Sequence, residues 1–287
     1  MDAGEDAGLD KSAAVSISPV DAALDILAPV LVHLAYGWRH RRPLDLRRPV
    51  RFTELVQRRK LVDRDPRMPH LVDKVAVKAF VRDRIGANWV TPTLWHGSEL
   101  PQEAPWQRPF VVKSRHGCNQ RRFVRDGGDD WSQVRTAAER WMRGRYGAWL
   151  AEWAYAEVPR RLLVEPFVGP AGVLPIDYKF YVFHGRVAAV QVHLDRETAH
   201  RWMLLDPQWR LLSRAIRTPP RPRAIDAMIE AAEQLAAGFD FVRVDLYDAE
   251  PHPRFGEMTF YPGSGLDPFD GPRIDEWLRT LWRGTTR

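Results

Sequence analysis

Two short apolar runs near the C-terminal end each carry one carboxylate. FVRVDLY (241–247) holds Asp245, and RFGEMTF (254–260) holds Glu257. Runs rich in β-branched and aromatic residues suit strands, and acidic side chains are rarely buried in them without a partner. Only DAEPHP separates the two runs, so they read as adjacent antiparallel strands. Side chains alternate faces along a strand. Val242, Val244 and Leu246 then share one face with Met258 and Phe260. Arg243, Asp245, Glu257 and Thr259 share the other. Facing carboxylates repel unless a proton or cation lies between them. Hard oxygen donors on one face suit Mg²⁺, which takes one or two carboxylates together with substrate phosphates. The competing reading is a solvated face on which Arg243 neutralises Asp245, and spacing alone leaves both open.

The rest of the chain alternates strand pairs with helices, which predicts a mixed α+β fold. Residues 1–20 read as a tail of small and acidic residues. Helices are expected over 21–38, 52–62 with Thr53 as a cap, 73–86 between Asp73 and Gly86, 131–147, 225–239 and 274–282. Strands are expected over 88–95, as a strand–turn–strand over 109–126, over 160–169, and as a hairpin over 176–195 that turns at His184-Gly185. No internal repeat or low-complexity block interrupts this order.

Composition narrows the function classes. Of 287 residues, 45% are hydrophobic and 28% charged, as in a globular protein. Cys118 is the one cysteine, so no disulfide forms within the chain and a reducing, cytoplasmic setting is expected. The acidic opening MDAGEDAGLDK does not read as a signal peptide. LDILAPVLVHLAYGW (24–38) falls short of the roughly 20 residues of a membrane span. It reads as a core-packing helix ending in a solvated basic loop, RHRRPLDLRRP. Peripheral contact with an anionic membrane is the alternative. The net charge of +6 favours anionic partners. The twelve tryptophans are scattered rather than forming a basic-aromatic platform, so no nucleic-acid partner is expected.

Lysine is scarce, at positions 11, 60, 74, 78, 113 and 179, which makes a lysine inside an apolar run informative. Lys113 ends FVVK before the turn SRHGCN, and Lys179 lies within DYKFYVF. A lysine at such a place either snorkels to solvent or meets an anion. Glu165 ends the run LLV, where a carboxylate either accepts from a ribose hydroxyl or caps a neighbouring loop. PGSG (262–265) is a turn whose amides could face an anion. His116 and Cys118 are spaced H-x-C with no second cysteine, which does not read as a zinc site. No G-x-S-x-G or Walker pattern is present.

The order of these pieces is more specific than any one of them. DK (73–74), TP (91–92), VVKSRHG (111–117), VEPFV (164–168), DYKFYVFHGRV (177–187), RVDLY (243–247) and GEMTFYPGSG (256–265) resemble, in sequence and in succession, an ATP-grasp enzyme. More closely, the chain resembles the teichuronopeptide biosynthesis (TupA-like) ATP-grasp proteins, over about residues 70–270.

The resemblance implies an ATP-grasp fold, in which two α+β subdomains clasp ATP, preceded here by an N-terminal helical extension. The implied division is 1–60 for the tail and extension, 61–108 for a leading segment, 109–163 for the lid subdomain and 164–287 for the core subdomain. It implies ATP and Mg²⁺ as cofactors and an ADP-forming carboxylate–amine ligase acting through an acyl phosphate. The partners would be a carboxylate on a metabolite, peptide or acidic polymer, and an amine. By the same resemblance, Lys74 and Lys113 contact phosphates, with His116 in the lid loop. Glu165, Phe167 and Val168 form the adenine hinge. Asp177 contacts the ribose with Lys179 beside it. Asp245, Glu257 and Thr259 hold the metal. Arg243 and Gly263 stabilise developing oxyanions, with Arg196 and Arg201 contacting a phosphate or carboxylate. The family pattern has asparagine where this chain has Thr259, and the lid loop SRHGCNQ is poor in glycine. A kinase on the same fold and a non-catalytic module for anionic polymers are the rival readings.

Overall fold

The computed structural model describes residues 19–125, 128–169, 173–194, 201–213, 218–249 and 251–284. The chain opens with α1 (Pro19–His40), α2 (Phe52–Val62), α3 (Met68–Val72) and α4 (Val77–Ile85). A four-stranded antiparallel sheet follows. It comprises β1 (Trp95–Gly97), β2 (Phe110–Ser114), β3 (Arg121–Val124) and β4 (Leu162–Pro166), in the order β1-β4-β2-β3. Between β3 and β4 run α5 (Trp131–Arg143) and the short α6 (Trp153–Ala156). A second antiparallel sheet has the order β7-β6-β5-β8-β9. Its strands are β5 (Asp177–Phe183), β6 (Arg186–Leu194), β7 (Arg201–Leu205), β8 (Phe241–Tyr247) and β9 (Arg254–Thr259). The last helices are α7 (Ile225–Leu235) and α8 (Pro272–Arg283).

Each sheet keeps a different face dry. In the smaller one, Phe110, Val112, Val124, Leu162 and Val164 pack with Val134 and Ala138 of α5. Alternation then sends Val111, Lys113 and Glu165 to the opposite face. In the larger sheet, Tyr178, Phe180, Val182, Val242, Val244 and Leu246 share a core with Ile225, Met228 and Ala232 of α7. The opposite face is divided. At one end Phe52 of α2 meets Phe183, Phe241 and Trp282 of α8, with ring centroids 4.9–6.1 Å apart. At the other end Asp177, Lys179, Asp245 and Glu257 line a cleft. This double use explains why all seven residues of β5 are buried.

Several expected boundaries move. The helix expected over 73–86 begins formally at Val77, but the Asp73 carboxylate accepts from the amides of Val75 and Ala76 at 2.9 and 3.2 Å. Thr53 is not the cap of α2. Arg51 occupies that position, and the Thr53 hydroxyl donates to Asp275 of α8 at 2.8 Å. The strand expected over 88–95 is a 3₁₀ turn at Ala87–Trp89, and the strand itself is only Trp95–Gly97, joined to β4 from the Leu94 amide onward; Pro92 has no N–H to offer a ladder. The division expected at 163/164 passes through β4. Its register with β2, Val112↔Val164 and Val111↔Glu165, keeps the whole strand in the smaller sheet. The expected 60/61 division likewise falls inside α2.

The N-terminal extension is only half a core helix. Ala28, Val32 and Tyr36 of α1 are buried, the last two against Leu44, Leu61 and Leu266. Ile26, Leu34 and Trp38 remain 80%, 65% and 83% exposed.

Candidate active site

The cleft lies between the two sheets and has a volume of about 550 Å³, within the roughly 300–1,000 Å³ typical of small-ligand sites. Its floor is the β8–β9 hairpin with β5 beside it. Asp245 stands directly opposite Glu257, Arg243 opposite Thr259, and Lys179 on β5 opposite Asp245. A bulge follows Asp245. Gly256 sits in it because a Cβ there would lie 3.0 Å from the Asp245 carbonyl and 3.1 Å from the Tyr247 ring. The one-face arrangement expected from alternation is therefore present.

The floor is a network of buried charges. The Arg243 guanidinium donates to both Asp245 oxygens, at 2.7 and 2.8 Å, and to the Thr259 hydroxyl at 3.3 Å. Lys179 donates to Asp245 and lies 2.8 Å from Asp177. Glu257 is 3.6 Å from Arg243 and accepts from Thr259 at 3.4 Å. Burial by itself would raise the Asp245 pKa, but Arg243 and Lys179 outweigh it and pull it down to about 2. Burial would equally discharge Lys179, yet Asp177 and Asp245 hold its pKa above the usual lysine value. Arg243 is pushed up in the same way by Asp245.

The roof carries cations. Lys113 of β2 lies 2.6 Å from Glu165 of β4, its diagonal neighbour on the cleft face. Lys78 of α4 bonds the other Glu165 oxygen and the Thr93 hydroxyl, the latter at 2.6 Å. Glu165 thus bridges two ammonium groups, which lower its pKa against the cost of burial. Burial lowers that of Lys78 despite the Glu165 charge. Lys74 also faces the cleft and donates to the Gly117 carbonyl. Phe167 and Val168 line the same space. The Phe167 amide donates to the Pro109 carbonyl at 3.2 Å, and its ring packs 5.6 Å from Phe123.

At the far end is the 262–265 turn, with φ of 53°, 56° and 65° at Gly263, Ser264 and Gly265. Three successive left-handed residues explain the two glycines. The N-terminal extension holds this turn in place. Gln57 and Lys60 donate to the Ser264 carbonyl at 2.9 and 2.6 Å, His40 bonds the Gly265 carbonyl at 3.0 Å, and Arg39 donates to that of Leu266 at 3.1 Å.

The structure therefore places Lys74, Lys113, Glu165, Phe167, Val168, Asp177, Lys179, Arg243, Asp245, Glu257, Thr259 and Gly263 around one cleft. His116 is not among them. It is buried away from the cleft, its Nε2 3.2 Å from the Trp141 carbonyl, and burial lowers its pKa. Arg201 lies exposed at the start of β7 and does not line the cleft, because two strands, β6 and β5, separate this edge strand from β8. Arg196 lies outside the described residues.

Several lining residues escaped the sequence reading. Lys78 is one, although its place among six lysines in an arginine-rich chain was a usable signal. Glu152, Tyr146, Tyr155 and Tyr261 form the end wall near Gly263. Cys118 joins them, 3.1 Å from the Tyr155 hydroxyl, and burial pushes its thiol up to about 11. Glu152 follows Ala151, which has φ of 57°, and nothing local in the sequence marks that turn.

The donor set suits a hard cation. Two carboxylates and a hydroxyl open from one sheet face into the cleft, where Mg²⁺ would complete its shell with water and phosphate. Among the described residues no group of three or more His, Cys, Asp or Glu side chains gathers, so an all-protein cage is absent.

A family model described as TupA-like ATPgrasp matches residues 54–282. No curated protein matches the chain. Among solved structures, the ATP-grasp ligase PsnB complexed with a minimal precursor is 14% identical with a TM-score of 0.42, covering 77% of this chain and 62% of its own. The D-alanine–D-alanine ligase of Bacillus anthracis complexed with ATP is 12% identical with a TM-score of 0.40, covering 67% and 55%. The VanG D-Ala:D-Ser ligase of Enterococcus faecalis is 12% identical with a TM-score of 0.46, covering 75% and 61%. The chain spans about three fifths of the length of these proteins.

Proposed function

The chain belongs to the TupA-like ATP-grasp family, and from that premise we propose that it is an ATP- and Mg²⁺-dependent carboxylate–amine ligase. One observation carries the reading. A cleft of nucleotide size has lysines on its roof and, on its floor, a paired Asp245–Glu257 beside Lys179 and Arg243. Phosphoryl transfer needs positioning and charge neutralisation more than a nucleophilic side chain, and this cleft contains charges in that arrangement.

In the proposed reaction a substrate carboxylate oxygen attacks the γ-phosphorus of ATP. The bond to the bridging oxygen breaks, ADP leaves, and an acyl phosphate forms. An amine nitrogen then attacks the carbonyl carbon, the carbon–oxygen bond to phosphate breaks, and the nitrogen loses a proton. Lys74 and Lys113 orient phosphates, while Glu165 keeps Lys113 and Lys78 in place. Phe167 and Val168 enclose the base, and Asp177 meets the ribose. Asp245, Glu257 and the Thr259 hydroxyl would hold Mg²⁺, which supplies charge neutralisation to the triphosphate when bound. Asp245 now carries Arg243 and Lys179 on its oxygens, so these two cations turn to substrate oxygens as the site fills. Arg243 and the Gly263 amide then face the developing oxyanions. The reaction uses cytoplasmic ATP.

The test is purified protein with ATP, Mg²⁺ and panels of acids and amines. ADP and phosphate release are followed together with product mass. Amide formation stoichiometric with phosphate is expected. A phosphorylated hydroxyl product with no amide overturns the ligase reading in favour of a kinase.

A further inference from the structure

We propose that the outward face of α1 is a docking surface for an anionic phospholipid membrane, on which the helix lies in the plane of the interface. Ala28, Val32 and Tyr36 recur every four residues on the face that packs against the body. Ile26, Val30, Leu34 and Trp38 recur at the same spacing, offset by two residues, which places them half a turn away. They are 80%, 54%, 65% and 83% exposed, and Val20 and Leu27 beside them 69% and 48%. No Asp, Glu, Lys or Arg occurs between Asp25 and Arg39, so three turns of this face carry no charge. A contiguous exposed apolar stripe of this kind marks an interaction surface.

The charge beside the stripe selects the occupant. Directly after α1 the chain reads RRPLDLRRP (41–49), in which Arg41, Arg47 and Arg48 are exposed. This loop folds against the last turn of the helix. The Arg42 carbonyl lies 3.7 Å from where a Gly37 Cβ would stand, next to Trp38. An apolar stripe ended by a tryptophan and arginines is the make-up of an interfacial helix, with the ring at headgroup depth and the guanidinium groups on lipid phosphates. A second copy of the stripe would bury the apolar residues, but α1 could offer the arginines only Asp21 and Asp25, and Asp25 is already paired with Arg145, whereas anionic headgroups supply apolar cover and counter-charge together.

The apolar run 24–38 is shorter than a span, but the helix that contains it extends over the 22 residues Pro19–His40 and has the length and composition to cross a membrane; its other face, however, is committed to the body. Arg145 pairs with Asp25 at 2.7 Å, and His40 and Arg39 hold the 262–266 turn. Crossing would pull all of these apart, while lying in the interface keeps them. Because α1 and that turn are joined, membrane docking sets the cleft beside the bilayer surface.

Co-sedimentation of the purified full chain with phosphatidylcholine vesicles, with and without phosphatidylglycerol, tests the proposal. Three exposed arginines, offset by the exposed Asp45 between them, should raise partitioning into the anionic vesicles by about thirtyfold, and high salt should release the protein. Leu34→Glu with Trp38→Glu should remove binding while circular dichroism and ATP turnover stay unchanged, since both side chains are exposed. Arg47→Glu with Arg48→Glu leaves the stripe intact and should lose only the preference for phosphatidylglycerol. Equal binding to both vesicle types, retention in high salt, or no binding at all overturns the proposal. So does a concentration-dependent dimer, seen by sedimentation without lipid and abolished by the stripe substitutions.

Discussion

Replacing Asp245 by asparagine removes one charge from the centre of the floor and leaves its shape. In the native protein Arg243 holds both carboxylate oxygens and Lys179 holds one of them. The surrounding cations lower the pKa of this buried acid from 3.8 to about 2. That lowering favours the ionised form on folding by on the order of 2 kcal/mol. An amide cannot accept equally from both cations, so Arg243 and Lys179 would be left short of countercharge. Breaking one partner out of a buried ionic group costs about 3–5 kcal/mol, and Asp177 and Glu257 remain to neutralise part of the surplus. We expect Asp245→Asn to lower the unfolding free energy by about 2–4 kcal/mol at neutral pH, read from urea denaturation with an unchanged m-value. The pH dependence has a fixed sign. The native pKa lies below the unfolded one, so this stabilisation is present above the unfolded value of 3.8 and is lost as pH falls through about 2. The difference between wild type and variant should therefore close in strong acid. If Asp245 also holds the metal, the variant should lose the thermal stabilisation that Mg²⁺-ATP confers on the wild type. A stability change under about 0.5 kcal/mol at neutral pH would refute the charge argument. An unchanged response to Mg²⁺-ATP would refute the metal assignment independently.

Three further outcomes are expected. Glu165→Gln leaves Lys78 and Lys113 without the carboxylate they share and should cost about 3 kcal/mol in urea unfolding, partly restored in the double variant with Lys78→Met. Burial lowers the Lys60 ammonium from 10.5 to about 8, against the pull of Glu152. The unfolded chain therefore binds the extra proton between those values, and stability contributed at this site should rise with pH across that window. Lys60→Met should flatten that slope in paired urea titrations. Gly265→Ala would set a Cβ 2.9 Å from the Thr53 carbonyl and 3.0 Å from Val56 Cβ at φ of +65°. Loss of about 2 kcal/mol in thermal or chemical unfolding is expected.

The parts of the site that were legible in the sequence are those that a strand encodes locally. Alternation placed Asp245, Glu257 and Thr259 on one face, and the observed register has Asp245 opposite Glu257. The His184-Gly185 turn was equally readable, since φ of 48° and 76° at those positions is local chemistry. Lys113 and Glu165 were each singled out, but not as partners. They are 52 residues apart in sequence and meet only because β2 and β4 pair. His116 misled for the complementary reason. Its neighbours in the chain suggest a lid, while in space its Nε2 meets the Trp141 carbonyl of the segment that ends α5.

The sequence by itself determined most of the longer helices and strands, the two-faced β8–β9 hairpin and the ordered motifs that mark the family, because each depends on residues near one another in the chain. Only the tertiary structure decided which charges meet. It set Lys78 and Lys113 on one carboxylate, Arg243 and Lys179 on another, and α1 and α2 behind the 262–265 turn. It also left one apolar face of α1 uncovered. The physical reason is that alternation and helical period fix the direction of a side chain relative to its own backbone, whereas burial, pKa and partnership depend on what other elements bring to the same point in space.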